Sequence, residues 1–169
     1  MIEGLITEAL NPGHDRTGFS CGVETLDRYL RERATQDIRR RVSNCFVTVG
    51  PAGGIGAYYT FAATGIPLTD SAPAVTGRLP RYPTVPAALI GRLAVDQRFR
   101  GQGLGAALIV DAIARAMRAE PAIFALVVDA KDDTALRFYQ HLGFQRFASH
   151  PMRLYLPVAE AARRLAERA

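Results

Sequence analysis

The feature that most restricts this chain is a run of strand, turn and helix between residues 87 and 118. An apolar stretch, Ala87 to Val95, broken only by Gly91-Arg92, leads into Asp96-Gln97-Arg98-Phe99-Arg100-Gly101-Gln102-Gly103-Leu104-Gly105. The Gly91-Arg92 break predicts a strand with a bulge or a close backbone approach. From Leu104 to Arg118 the residues Leu104, Leu108, Ile109, Ala112, Ile113 and Ala116 recur with the period of a helix packed along one side. Three glycines at alternate positions remove Cβ atoms where a backbone must come close to something. The helix beginning at Leu104 aims its free N–H groups and positive dipole end at the same space. Arg98 and Arg100 add positive charge at the rim. The combination predicts a pyrophosphate cradle.

Other readings of this loop fit less well. A Walker A loop is excluded because no Gly-Lys-Ser/Thr follows. Gly101-x-Gly103-x-x-Ala106 has the spacing of a Rossmann dinucleotide loop, and Asp129 ends a later strand at roughly the expected distance of about 20 residues. Yet the first Rossmann glycine should follow its strand at once, and residues 96–100 intervene here. The chain before it also shows antiparallel hairpins rather than βαβ units. A glycine-rich turn without a ligand is the remaining structural alternative.

The rest of the chain supplies the frame. Val23 to Arg40 is helical by periodicity, with Leu26, Tyr29, Leu30, Ala34 and Ile38 inward, Asp27 and Arg31 at i,i+4, and Arg39-Arg40-Arg41 at its end. Asn44–Val49 and Ile55–Ala63 are β-rich runs around Gly50-Pro51-Ala52-Gly53-Gly54, a hairpin signal. Pro67 to Pro86 reads as a long loop, and it carries Arg78 and Arg81. Ala122–Val128 is a continuous apolar strand of the kind buried inside a sheet. Asp132 or Asp133 caps a short helix, Thr134–Leu142, which Gly143 terminates. Phe144–Ala148 and Met152–Leu156 form a last β pair, and the tail from Ala159 is weakly helical. No internal repeat or boundary appears, so residues 1–169 are expected to form one domain.

Composition narrows the partners. The 169 residues carry a net charge of +5, and Lys131 is the single lysine among 21 basic residues. Arginine's planar fork suits phosphate, so a polyanionic cofactor or nucleic acid is a natural partner, although coding bias produces the same arginine excess. Cys21 and Cys45 match no metal or disulfide spacing, and no signal peptide is evident, so the expectation is reduced thiols in a cytoplasmic protein. His14, His141 and His150 are scattered without an H-E-x-x-H pair, and no metal site is expected. Ala122–Val128 is far short of the ~20 residues that span a bilayer.

Arg100-Gly101-Gln102-Gly103-Leu104-Gly105 resembles the R/Q-x-x-G-x-G/A acyl-CoA signature of the GNAT superfamily of N-acetyltransferases. Ala135-Leu136-Arg137-Phe138-Tyr139-Gln140-His141-Leu142-Gly143-Phe144 resembles the second signature, A-x-x-[FL]-Y-x-x-x-G-F. Phe19-Ser20-Cys21-Gly22, Leu26-Asp27-Arg28-Tyr29-Leu30, Leu79-Pro80-Arg81-Tyr82-Pro83, Gly91 to Asp96 and Ala130-Lys131-Asp132-Asp133 are similar to segments of the GNAT toxins of bacterial type II toxin–antitoxin systems. The similarity runs over about residues 5–157. Asp132 stands where the wider superfamily often has Asn, and the toxins share that departure.

The resemblance implies an α+β, three-layer GNAT fold, a mixed twisted sheet with splayed central strands flanked by helices. It implies acetyl-CoA as cofactor, with the pantetheine arm along Leu93, Ala94 and Val95 and the pyrophosphate on the amides of Arg100, Gly101, Gln102, Gly103, Leu104 and Gly105. Arg98 and Asp132 complete the cofactor-binding set. It makes Tyr139 the acid that protonates the departing thiolate, against the alternative of a core aromatic beside Phe138 and Phe144. The implied substrate is the α-amine of aminoacyl-tRNA, and the implied outcome is a block of translation. The implied partners are a neutralising ribbon-helix-helix antitoxin, DNA only through that antitoxin complex, and a second copy in a homodimer, with no membrane.

No carboxylate lies on Ala87–Val95, where many GNAT enzymes place a glutamate base. An α-amine near pKa ~8 has a usable neutral fraction at pH 7, whereas a lysine near ~10.4 needs a base. Arg78, Arg81, Arg92 and the Arg39–Arg41 cluster are the candidates for tRNA phosphates. A GNAT enzyme acting on a small amine or protein N-terminus, and an inactive acyl-CoA-binding or repressor subunit, are the alternatives.

Overall fold

The β-rich runs on either side of the Gly50–Gly54 turn form an antiparallel hairpin of β2 (Asn44–Val49) and β3 (Ile55–Pro67), with Phe46 opposite Tyr59 and Val47 opposite Tyr58. The short strand β1 (Ile6–Ala9) adds to β2, Ile6 facing Val49. The structure, a computed structural model, describes residues 4–70 and 82–169. Five further strands are β4 (Thr84–Ile90), β5 (Leu93–Val95), β6 (Ala125–Asp129), β7 (Gln145–Arg146) and β8 (Arg153–Pro157). They continue the sheet in the order β1-β2-β3-β4-β6-β8-β7, with β5 paired to β3 off that path.

Two compact units divide the chain, one of Met1–Ala62 with Gly91–Asp111, the other of Ala63–Ile90 with Ala112–Ala169. In the first, β5 pairs antiparallel to β3, and Leu30, Val47, Ile55 and Tyr58 are buried in one core. Each such side chain contributes roughly 1.5–3 kcal/mol by leaving water. Over that core runs a continuous helical stretch, α1 (Glu24–Arg28), a π turn (Tyr29–Arg33) and α2 (Ala34–Arg39). Tyr29, Leu30 and Ala34 are buried, as the periodicity predicts. The expected Asp27–Arg31 pair does not form. Asp27 is buried and accepts the Cys21 N–H at 2.9 Å, while Arg31 pairs with Glu24 at 3.2 Å. A backbone donor six residues upstream outcompetes a solvated arginine, since a buried N–H left unbonded costs more than a surface pair contributes.

In the second unit β6 runs parallel to β4 and antiparallel to β8, so Ala125–Val128 are buried on both faces. Pairing begins just before the strand, where the Phe124 N–H donates to Pro86 O at 2.8 Å. The expected loop Pro67–Pro86 is shorter than its composition implies, because Thr84–Pro86 already belong to β4. The helices are α3 (Leu104–Arg118), α4 (Asp133–His141) and α5 (Val158–Arg168). α3 has the predicted bounds, and its six predicted inward residues are all buried. No helix among the described residues is long and apolar enough to cross a membrane.

Candidate active site

The bulged strand expected from Ala87 to Val95 resolves into two strands with different partners, β4 on β6 and β5 on β3. On β5 the hydrogen-bond phase is fixed by its flanks. The Thr60 N–H donates to Arg92 O at 3.0 Å and the Asp96 N–H to Gly56 O at 2.8 Å. In an antiparallel ladder bonded and non-bonded pairs alternate, so Ala94 spends its backbone groups on Tyr58 while those of Leu93 and Val95 point away from β3. β5 has no second strand partner among the described residues. Leu93 and Val95 therefore offer free amides and carbonyls to an extended ligand.

After β5 the chain makes a 3-10 turn, Gln97–Phe99, and reaches the glycines. Gly101 and Gly103 have φ of +75° and +82°, a left-handed backbone that favours glycine. A Cβ at either would have nothing within 4 Å, so the glycines serve backbone direction rather than packing against protein. The amides from Gly101 to Ala106 make no hydrogen bond to a described residue, and the first satisfied one is Ala107, on Gly103 O at 3.0 Å. Gln102, Leu104 and Gly105 lie within this run, and the Gln102 side chain reaches back to Arg98 O at 3.5 Å. A row of unbonded N–H groups at a helix start has the polarity that suits an anion.

Arg98 and Arg100 stand beside this row but are engaged elsewhere. Asp96, 2% exposed, takes the Ser20 N–H at 3.0 Å, the Arg98 N–H at 2.9 Å, and the Arg98 guanidinium through Nε at 2.9 Å and Nη2 at 3.2 Å. Arg100 donates through Nη2 to Cys21 O. That contact needs Gly22, where a Cβ would come within 2.7 Å of Arg100 Nη2. Arg100 thus fastens the loop to Cys21, while Arg98 clamps Asp96, the carboxylate that takes the Ser20 N–H. No motif marks Asp96; its signal in the sequence is a carboxylate two residues before an arginine at a turn start, the pattern of a side chain accepting local N–H groups.

Burial disfavours the Asp96 charge, but the Arg98 side chain, the Arg98 N–H and the Ser20 N–H outweigh it and hold the carboxyl below its ordinary range. A lowered folded pKa contributes stability above the unfolded value, lost as pH falls through the folded one. Asp96→Ala is expected to cost about 2–3 kcal/mol at pH 7, mainly through the two orphaned backbone donors. Because Arg98 is 61% exposed, its ion pair adds little. The difference in Tm from wild type should shrink below about pH 4; a gap constant from pH 7 to 3 would contradict it.

In the second unit Asp132 is the N-cap of α4, accepting the Ala135 N–H at 2.8 Å. Its carboxylate is thus committed to the helix that carries Tyr139. Tyr139 is 7% exposed and packs edge-on against Phe138 and Phe144 at 5.2 and 5.4 Å. Its hydroxyl bonds to no described residue, unusual for a buried tyrosine. Burial, with the Asp129 charge second, pushes its pKa up to about 12, so the phenol keeps its proton throughout the neutral range. Ring packing is the structural role, and the hydroxyl takes no part in it. An open depression of about 430 Å³ in the same unit is lined by Asp129, Ala130, His150, Pro151, Met152 and Arg153. Asp129 there is held bidentately by Arg153 at 2.8 and 3.2 Å.

Arg92 places its guanidinium 3.6 Å over the Tyr29 ring. Arg78 and Arg81 lie outside the described residues. β4 carries no carboxylate, so the missing general base is not found on that strand.

A family model described as an acetyltransferase (GNAT) domain matches residues 81–153. A tRNA-acetylating toxin of Mycobacterium tuberculosis is 36% identical over 154 residues, spanning 90% of this chain and 91% of that protein. The solved structure of AtaT complexed with acetyl-methionyl-tRNAfMet matches with a TM-score of 0.88 at 25% identity, over 95% of this chain and 99% of that one. An AtaT variant bound to the C-terminus of the antitoxin AtaR and acetyl-CoA matches with a TM-score of 0.80 at 24% identity, over 96% and 99%.

Proposed function

Because the chain belongs to the GNAT acetyltransferase family, whose α+β fold with a mixed eight-stranded sheet it shares, we propose that it moves the acetyl group of acetyl-CoA onto the α-amine of aminoacyl-tRNA and so blocks translation. The observation that carries this reading is the row of unbonded amides from Gly101 to Ala106 at the start of α3, in a chain so similar to a tRNA-acetylating toxin.

When bound, acetyl-CoA supplies an acyl group activated as a thioester. The amides from Gly101 to Gly105 bind its diphosphate, assisted by the helix dipole. Leu93 and Val95 hold the pantetheine arm with the backbone groups that β3 does not use, and one of their N–H groups faces the oxygen where negative charge develops. Ala94 fixes the strand on which they sit. Arg98 and Arg100 act by holding the loop in shape, and Asp132 by starting the helix that presents Tyr139. Tyr139 holds the proton that the leaving sulfur requires. The attacking α-amine needs no carboxylate base to begin, since roughly a tenth of it is neutral at pH 7. The proton it sheds on acylation passes to water, which restores the phenol of Tyr139. Arg92, with Arg78 and Arg81, meets tRNA phosphates. The same reading gives the chain one catalytic domain over residues 1–169, a cytoplasmic site of action, a homodimer, and a ribbon-helix-helix antitoxin through which any DNA contact is made.

The test is incubation of the protein with acetyl-labelled acetyl-CoA and charged tRNA. The expected product is N-acetyl-aminoacyl-tRNA. Label passing only to a polyamine or a peptide N-terminus would leave the transferase intact and overturn its substrate.

A further inference from the structure

We infer that Asp27 on α1 is a positioning residue for acetyl-CoA: through the backbone of Cys21 it holds Arg100, and with Arg100 the direction of the amides that receive the diphosphate. The inference rests on the cofactor reading of the glycine loop above. It extends that reading to a residue that makes no hydrogen bond to the loop.

Asp27 is 5% exposed. It makes no ion pair with a described residue, and its hydrogen bond is the one from the Cys21 N–H at 2.9 Å. A carboxylate is a costly group to bury, because its charge leaves water. Two plainer roles do not require it here. The helix dipole is already served by Glu24, exposed in the same first turn. Capping a stray N–H needs only a neutral acceptor such as serine. What the charge adds is a stronger bond at one place, the Cys21 N–H.

Cys21 is where that bond has its effect. Both backbone groups of Ser20 face the cofactor turn: its N–H donates to Asp96 Oδ2 at 3.0 Å, and its carbonyl accepts the Gln97 N–H at 2.9 Å. Cys21 divides its own groups, the N–H going to Asp27 and the carbonyl accepting from Arg100 Nη2. The next residue, Gly22, has φ +89°, and a glycine lets the Cys21–Gly22 peptide rotate at little cost. Holding Cys21 from the α1 side therefore fixes where its carbonyl meets Arg100. Arg100 ends the 3-10 turn and directly precedes Gly101, the first of the unbonded amides. A displaced Arg100 redirects the row. α1 is a firm base for this hold, because Tyr58, fully buried and paired with Ala94 of β5, donates its hydroxyl to Leu26 O at 2.6 Å. The strand assigned to the pantetheine arm and the helix that steadies the diphosphate loop thus share one anchor.

The experiment is calorimetry on the full chain with acetyl-CoA and, separately, with acetyl-pantetheine. In Asp27→Ala the affinity for acetyl-CoA should fall about three- to thirtyfold, a usual coupling within one hydrogen-bond network. Affinity for acetyl-pantetheine, which has no diphosphate to misplace, should stay within about twofold of wild type. Asp27→Asn keeps an acceptor at the same place and should recover most of the loss. Gly22→Ala leaves Asp27 intact and reaches the contact from its other side, since a Cβ there comes within 2.7 Å of Arg100 Nη2. It should reproduce the selective loss, and it carries the test if Asp27→Ala does not fold. On an Arg100→Gln background the Asp27→Ala loss should shrink to about twofold or less; a loss that adds in full would overturn the route through Arg100. Equal losses for both ligands, which make Asp27 a structural residue only, or no loss for either, would overturn the assignment and leave the cofactor reading standing. Wild-type protein that takes up no acetyl-CoA would overturn the cofactor reading first, and this assignment with it.

Discussion

Tyr139→Phe is expected to lower kcat by about 10²- to 10⁴-fold, the usual contribution of a positioned general acid. Acetyl-CoA affinity and Tm should stay near wild type. The separation follows from how the residue is held. Its ring is fixed by Phe138 and Phe144, which the substitution leaves in place. Its hydroxyl bonds to no described residue, so removing it orphans nothing. A phenol whose pKa burial raises to about 12 is also a proton donor whose occupancy does not change below about pH 10. Activity should accordingly show no alkaline fall from this group between pH 7 and 10. Normal turnover by Tyr139→Phe would return Tyr139 to the role of a core aromatic. A fall in Tm of many degrees would show that the hydroxyl has a structural partner.

The second large effect is expected at Gly103. With φ +82°, a β-branched residue there costs roughly 1–2 kcal/mol in the left-handed region, or relaxes the turn and rotates the neighbouring amides. Each charge-assisted hydrogen bond from amide to diphosphate is worth about 1.5–3 kcal/mol. Misdirecting two of them predicts a loss of acetyl-CoA affinity of about 10²- to 10⁴-fold for Gly103→Val. Calorimetry with acetyl-CoA measures it. A loss below threefold would mean that the glycine turn does not hold the diphosphate. The same substitution should cost only a few degrees in Tm, because a Cβ there meets nothing within 4 Å.

What the sequence made legible was whatever depends on local pattern. The bounds of α3 follow from an apolar stripe that starts directly after a glycine turn, and Asn44–Val49 from strand-forming residues beside a glycine-rich turn. Asp132 was one of two capping candidates, and the Ala135 N–H decides between them. The π turn at Tyr29–Arg33 was not legible, since an inserted residue leaves the inward face nearly unchanged while tertiary contacts to Tyr58 and Arg92 fix its place. β1 is a four-residue, mostly exposed edge strand, too short to carry an alternating signal. Pro83 and Pro86 hid the start of β4, because proline discourages a strand reading in every position but an edge or an end. At the site the residue types were legible and the directions were not. Arg98 and Arg100 counted as charge beside the cradle, yet they turn to Asp96 and to Cys21 O. Nothing in a linear sequence tells which acceptor a long side chain will find.

The central claim is that the amides at the start of α3 grip the diphosphate of coenzyme A. Calorimetric titration of the wild-type protein with acetyl-CoA and, separately, with acetyl-pantetheine, which lacks the diphosphate, tests it most directly. The account predicts micromolar binding of acetyl-CoA and binding of acetyl-pantetheine weaker by at least about 100-fold, the loss of two charge-assisted bonds. Equal affinities, or no heat from acetyl-CoA at millimolar concentration, would contradict it.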